Sequence, residues 1–191
     1  MIPLDIITSN PGKLREFEAA LRPLGFEVRH RPEEVDEIQA DTLEEVVLAC
    51  LAELRERKLT NFVLDDSGLF IDALKGFPGV YSAYALRTLG CDGVLRLLEG
   101  QEDRRAHFEC CIGCSLELIG SFTAQARCDG NIAQSPSGSR GFGFDPIFYP
   151  EGRTITFGEM GLEEKNEISH RGRAIKSFVL QLQKRMGSVR Q

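Results

Sequence analysis

The clearest pattern in the chain is an alternation. From Ala106 to Leu118, the apolar residues Ala106, Phe108, Cys110, Ile112, Cys114, Leu116 and Leu118 occupy every second position, with His107, Glu109, Ser115 and Glu117 among the residues between them. Successive side chains of a strand point to opposite faces, so a period of two predicts a long, half-buried β-strand. Ile119 to Ser121 turns it into a second strand, Phe122 to Asp129. Shorter apolar runs predict strands at Pro3 to Thr8, Phe26 to Arg31 and Phe62 to Leu64. Elsewhere the spacing is helical: Leu14, Phe17, Leu21 and Leu24; then Leu43, Val47, Cys50, Leu51 and Leu54; and last Ile175, Phe178, Val179, Leu182 and Met186, in a helix starting near Ser169. Tyr81 to Leu89 and Gly93 to Leu98 read as short helices. Strands alternating with helices give an α/β fold, and 191 residues suit one domain, 1–191, with room for a flap or lobe.

Polar residues at the ends of these elements carry the chemistry. Asn10 is a favoured N-cap and Pro11 suits the first helical position. Lys13 is different, because a cation in the first turn opposes the positive end of the helix dipole unless an anion is also there. A strand, a tight turn and a helix start together make an anion cradle of backbone N–H groups, which Lys13 would complete for phosphate. The spacing GxxxxGK[ST] is absent, so this is not a Walker loop.

In NFVLDDSGLFIDALKGFPGVY, Asn61 to Tyr81, an apolar strand ends in Asp65 and Asp66, with Ser67 and Gly68 expected to turn the chain. A buried strand has no structural use for adjacent carboxylates at its carboxyl end, which is where open α/β sheets bind ligands. Neighbours on a strand face opposite ways, so one aspartate should enter the site while the other holds backbone or nearby groups. The following KGFPGVYSAY suits a lid or wall.

The link PEEVDEIQAD is acidic and mostly solvated; Glu37 lies in it, just before the helix that Thr42 and Glu45 mark with a capping box. The Gly- and Ser-rich SPSGSRGFG runs into FDPIFYP, where two readings stand: Phe142 and Phe144 beside Asp145 stack and hydrogen-bond a base, or the rings turn into the core. Lys165, His170, Arg171 and Arg173 crowd the start of the last helix, which suits an anionic or carbonyl-bearing ligand.

Composition narrows the partners. A net charge of −6 argues against nucleic-acid binding, which rests on clustered Lys and Arg, but leaves room for a nucleotide brought in with a divalent metal. No apolar run nears the ~20 residues of a membrane span, and Met1 to Thr8 is too short and too acidic for a signal peptide. The expectation is a cytoplasmic protein with no membrane partner. The six cysteines read as packed, reduced thiols, since Cys111 and Cys114 have CxxC spacing but no partner pair for zinc.

Taken together, ITSNPGK, DDSGLFIDALKGFPGVYSAY, GFGFDPIF and EEKNEISHRGRA, in this order over nearly the whole chain, closely resemble the inosine triphosphate pyrophosphatase family. The resemblance implies cleavage of ITP, dITP and XTP to the monophosphate and pyrophosphate, with Mg2+, by a homodimer. It also implies an elongated mixed central sheet flanked by helices, with two lobes around a substrate cleft. Thr8, Ser9, Asn10 and Lys13 then match the family's phosphate-binding loop, Glu37 its metal-binding glutamate, and Asp66 its proton acceptor and metal ligand. Asp65 stands beside it, Ser67 touches substrate, and Lys165 matches a second phosphate lysine. Phe142, Gly143, Phe144 and Asp145 match the base-binding block, and His170 with Arg171 the pair that meets the purine. Two departures stand out: Phe144 where Tyr or Trp is more usual, and a helix after Thr42 without the Asn-Ala many members carry, which bears on Glu37.

Under this resemblance, magnesium on Glu37 and Asp66 would bridge phosphate oxygens, Asp66 or Asp65 would orient water, and Lys13 and Lys165 would neutralise the leaving pyrophosphate. Arg171 and nearby backbone would donate to the 6-keto oxygen of the base. Two rivals stand beside it. One is a Maf-type pyrophosphatase of ordinary or methylated nucleotides, against which the GFGFD and SHRGRA blocks speak. The other is a nucleotide sensor without catalysis, which has no need of Glu37, Asp65, Asp66, Lys13 and Lys165 together.

Overall fold

The structure is a computed structural model that describes residues 2–189, with side chains described for 3–187. In chain order come β1 (Ile2–Ile7), α1 (Pro11–Leu21), β2 (Phe26–Arg31), α2 (Leu43–Glu56) and β3 (Phe62–Ile71). They are followed by β4 (Pro78–Gly79), α3 (Ser82–Thr88), α4 (Gly90–Leu97), β5 (Arg105–Leu116) and β6 (Gly120–Ile132). The chain ends with β7 (Phe148–Pro150), α5 (Leu162–Ile168) and α6 (His170–Val189). The strands form a seven-stranded sheet in the order β2-β1-β3-β5-β6-β7, with β4 beside β3. β1 runs parallel to β2 and β3, whereas β3–β4 and β6–β7 are antiparallel, which makes the sheet mixed, as expected.

The chain forms two compact units: Met1–Asp66 with Cys110–Ala126 and Arg173–Gln191, and Ser67–Glu109 with Arg127–Gly172. In the first, helices cover both faces of the strands. Phe17 and Leu21 of α1 and Phe178 and Leu182 of α6 share a core with Cys110, Ile112 and Cys114. On the opposite face a Cβ at Gly113 would lie 2.5 Å from Val47 and 2.9 Å from Leu51, so α2 packs directly on the strand there. In the second unit Leu69, Ile71, Ala85, Val94 and a group of phenylalanines form the core. Phe148 sits at its middle, with ring centroids 4.8 Å from Phe108 and 5.2 Å from Phe157.

Local signals explain the helix boundaries. The Thr42 and Glu45 side chains form the expected capping box at the start of α2. Three expectations are corrected. Leu24 is 46% exposed, because α1 stops at Leu21 and the 3-10 turn Arg22–Leu24 rotates it off the buried stripe. Leu118 is 71% exposed, because β5 ends two residues earlier. The chain does not turn at Ser67 and Gly68; β3 continues to Ile71, and Gly68 is there because a Cβ would lie 2.4 Å from the Gly79 carbonyl oxygen of β4. The last helix starts beside Ser169, as expected; the segment before it is also helical, as α5, and Ser169 in an extended conformation separates the two. The Ser169 Oγ then accepts from the Gly172 N–H at 3.1 Å, a first-turn cap on α6.

All six cysteines are free thiols. Burial pushes Cys114 from its ordinary 9.0 up to about 12, and burial followed by the negative charges of Glu37, Asp66 and Glu53 pushes Cys50 up to about 11. Both folded pKa values are raised, so the folded protein keeps these protons at a pH where the unfolded chain loses them. The stabilisation is full below about pH 9 and is lost as pH rises through 11 to 12. Denaturant titrations at pH 8, 9.5 and 10.5 should show the midpoint falling with pH, and Cys50→Ser with Cys114→Ser should flatten that fall; an equal slope in the double variant would exclude these thiols as its cause.

Candidate active site

The first unit holds the predicted phosphate loop and all three predicted acids. β1 ends at Ile7 and the chain turns through Thr8, Ser9 and Asn10 into α1. Asn10 Oδ1 accepts from Gly12 N at 2.8 Å and Lys13 N at 3.3 Å, while Thr8 Oγ1 accepts from Asn10 N at 3.1 Å. Thr8 is buried, Lys13 half-buried and Ser9 exposed. The Lys13 ammonium donates to the Asp65 carbonyl oxygen at 2.9 Å and lies 3.4 Å from Asp65 Oδ2. A carboxylate within β3, the neighbour of β1, thus offsets the cation that the helix dipole disfavours.

Asp65 and Asp66 face opposite ways, as the strand period requires. The Asp65 side chain is fully buried, and its Oδ2 also accepts from Cys110 Sγ at 3.7 Å, on the face that α1 and α6 cover. Asp66 instead acts on Cys50 of α2, on the other face. The charges of Glu37, exposed in the link before α2, and of Glu53 in α2 raise the same thiol. Among the described residues there is no group of three or more His, Cys, Asp or Glu able to hold a metal. Two carboxylates do not suit a four-ligand structural zinc, but they do suit Mg2+, which takes one or two carboxylates and completes its shell with water and substrate phosphate.

The second unit holds the base-block residues with Ser67, Lys165, His170 and Arg171. Asp145 is buried and its Oδ2 accepts from Phe142 N at 2.7 Å and from the Lys165 ammonium at 2.8 Å. The Lys165 and Asp145 side chains are each 4% exposed, so this is a buried ion pair that fixes the loop. Phe142 is half-buried with a cation on each of two approaches: Lys165 Nζ lies 4.7 Å and Arg171 Cζ 5.4 Å from its ring centroid. Buried Arg171 also donates from Nη2 to Ser67 Oγ at 3.0 Å. The two readings of the phenylalanines therefore divide: Phe144 is in the core, while Phe142 is not. His170 is buried too, its ring stacked on Phe108 at 4.6 Å. Gly143 lies in the loop at φ 65°, its carbonyl oxygen accepting from Cys91 Sγ at 3.6 Å.

Gly141 has φ 72°, and a Cβ there would lie 2.1 Å from Asp145 Oδ2. Gly141→Ala should therefore both strain the backbone, by about 1–2 kcal/mol, and push the carboxylate off Phe142. The expected result is a lower melting temperature and a KM for nucleotide raised about tenfold; an unchanged KM would show that this loop does not contact substrate.

Two participants escaped sequence reasoning. Cys110 was read only as a packed thiol, and its contact with Asp65 follows from β5 lying beside β3. His30 ends in contact with Thr8, and the only signal was a histidine near the end of a charged edge strand.

A capped loop with a lysine, carboxylates on opposite faces of one strand, and an aromatic loop flanked by cations are the parts of a nucleotide-binding α/β protein. The chain belongs to the Ham1 family, whose model matches residues 4–181. It is 54% identical over 175 residues to the dITP/XTP pyrophosphatase of Thermococcus kodakarensis, covering 92% of this chain and 94% of that one. It is 48% identical over 172 residues to the protein of the same name from Pyrococcus horikoshii, covering 90% and 92%. Among solved structures, the Staphylococcus aureus Ham1 protein superposes with a TM-score of 0.82 at 30% identity, covering 95% of this chain and 98% of that one. The family resemblance and the mixed α/β fold read from the sequence are both borne out.

Proposed function

We propose that this protein hydrolyses the deaminated purine nucleoside triphosphates ITP, dITP and XTP to the nucleoside monophosphate and pyrophosphate, removing them from the nucleotide pool. The observation that carries the reading is the pair of aspartates within β3, where Asp65 faces Lys13 on the side that α1 and α6 cover and Asp66 faces the opposite side. The near-full-length likeness to proteins named dITP/XTP pyrophosphatase supports the substrate class.

In this reading the turn Thr8–Asn10 and the Lys13 ammonium at the positive end of α1 bind the triphosphate. Glu37 and Asp66 would hold Mg2+, which when bound neutralises phosphate charge and polarises the reacting phosphorus. Asp66 accepts a proton from the attacking water, and Asp65 holds Lys13 in place until phosphate replaces it as the lysine's partner. The purine is taken by the second unit's set: Phe142 offers the stacking face, and Arg171, steadied by Ser67, donates to the 6-keto oxygen. Lys165 keeps the loop in register through Asp145 and adds positive charge for the phosphates, and Phe144 and His170 support the loop from the core.

A homodimer is part of the proposal, supported by exposed Phe77, Tyr81, Tyr84 and Leu89 within one short stretch. A cytoplasmic location is also part of the proposal, following from the proposed role in the nucleotide pool.

Product analysis tests the reaction. With Mg2+, dITP should give dIMP and pyrophosphate in equal amounts, and chelation of the metal should abolish both. Formation of dIDP and orthophosphate, or full rate without divalent metal, would overturn the reading.

A further inference from the structure

We infer that His30 is a positioning residue for the phosphate loop, an inference that rests on the proposed function of that loop. β1 and β2 pair in parallel up to Ile7 and Arg31, so the Thr8 carbonyl projects just beyond the last strand partner. Thr8 is buried, and a buried carbonyl without a donor is costly. The donor comes from a side chain: His30 Nε2 lies 2.8 Å from Thr8 O. A carbonyl oxygen only accepts, so Nε2 carries the hydrogen, in the neutral ring or the imidazolium alike.

The consequence runs along the loop through a relay of short contacts. Thr8 Oγ1 accepts from Asn10 N at 3.1 Å, Asn10 Oδ1 accepts from the Gly12 and Lys13 amides, and the Lys13 ammonium reaches the Asp65 carbonyl at 2.9 Å. The cap that shapes the start of α1 and places Lys13 is thus set by Asn10, Asn10 by Thr8, and Thr8 by His30. His30 itself is exposed on the edge strand β2 and belongs to no core cluster, so its role is in the aim of the loop and not in the packing of the fold. A group that only shapes a binding loop changes ground-state and transition-state binding together, which appears in KM and not in kcat.

The test uses the full-length protein with dITP for turnover and inorganic tripolyphosphate for binding. His30→Ala should raise KM and weaken tripolyphosphate binding by about five- to tenfold, with kcat within twofold and the melting temperature lowered by only a few degrees. His30→Gln, which keeps an N–H donor at similar reach, should restore both to within twofold of wild type. His30→Glu, which faces the carbonyl with an acceptor, should be at least as impaired as alanine. If the alanine variant folds poorly, the contrast between Gln and Glu decides alone. Unchanged KM and tripolyphosphate affinity in His30→Ala, or a folded His30→Gln as impaired as alanine, would overturn the inference. Failure of the wild type to release pyrophosphate would overturn the proposed function instead, and the tripolyphosphate arm would still report on His30.

Discussion

Asp66→Asn should lower the rate of pyrophosphate release from dITP by about 10³-fold or more while leaving the fold intact, because one substitution removes both a proton acceptor and half of the carboxylate pair. The reason for choosing Asp66 over its neighbour is geometric. Asp65 is already engaged by Lys13 and Cys110 on one face of the sheet, whereas Asp66 points to the other, where its charge raises the Cys50 thiol. Asparagine is nearly isosteric, so the melting temperature should move by only a few degrees. Asp65→Asn should behave differently, weakening the hold on Lys13 and raising KM more than it lowers kcat. Paired kinetic and melting measurements on the two variants distinguish these roles. Turnover of Asp66→Asn within tenfold of wild type would remove Asp66 from the chemistry.

The largest stability effect is expected at Asp145. Asp145→Ala strips the Lys165 ammonium of its buried carboxylate and the Phe142 amide of its acceptor. Breaking one side of a buried pair costs about 3–5 kcal/mol, on the order of 10 °C in melting temperature for a protein of this size. Replacing both partners with apolar groups, Asp145→Leu with Lys165→Met, should recover much of that stability, since no charge is then buried alone. It should not recover selective turnover, because Phe142 would have lost both its amide anchor and one of its cations. Thermal melts of the single and double variants, with relative rates on dITP and ATP, check both statements. A single variant melting within 2 °C of wild type would show that the pair is not worth what its burial implies.

Much of the fold was legible because its signals are local and periodic. The alternation at Ala106–Leu116 became β5, the helical spacing of Leu43, Val47, Cys50, Leu51 and Leu54 became the buried stripe of α2, and Asn10 capped α1. The misses came where tertiary contact overrode a local signal. Gly68 read as a turn residue, yet its missing Cβ makes room for the backbone of β4, a constraint visible only once β4 is in place. Leu24 kept helical spacing, but a 3-10 turn breaks the rotation that spacing assumes.

The site was legible in kind and less so in arrangement. A lysine at a helix start and two adjacent aspartates after an apolar run announce themselves by being costly without a ligand, and the strand period correctly separated Asp65 from Asp66, although the strand runs on past them to Ile71. The loop phenylalanines could not be divided into core and surface from their neighbours, since Phe142 and Phe144 are two residues apart in an irregular loop. Asp145, expected at the base, turned out to be buried against Lys165, a pairing between positions 20 residues apart that no local pattern encodes. Partners that act through one hydrogen bond from another strand, as His30 does on Thr8, leave no periodic trace at all.

The measurement that bears most directly on the central claim is the initial rate of pyrophosphate release, at fixed magnesium, from dITP, ITP, XTP, GTP, ATP and dTTP side by side. A site that donates to the 6-keto oxygen meets an amino donor in adenine, so the account predicts dITP, ITP and XTP turned over about 10³-fold or more faster than ATP. Comparable rates for ATP or dTTP and dITP would contradict it, leaving the phosphate and metal groups in place but removing the base-reading role assigned to Phe142 and Arg171.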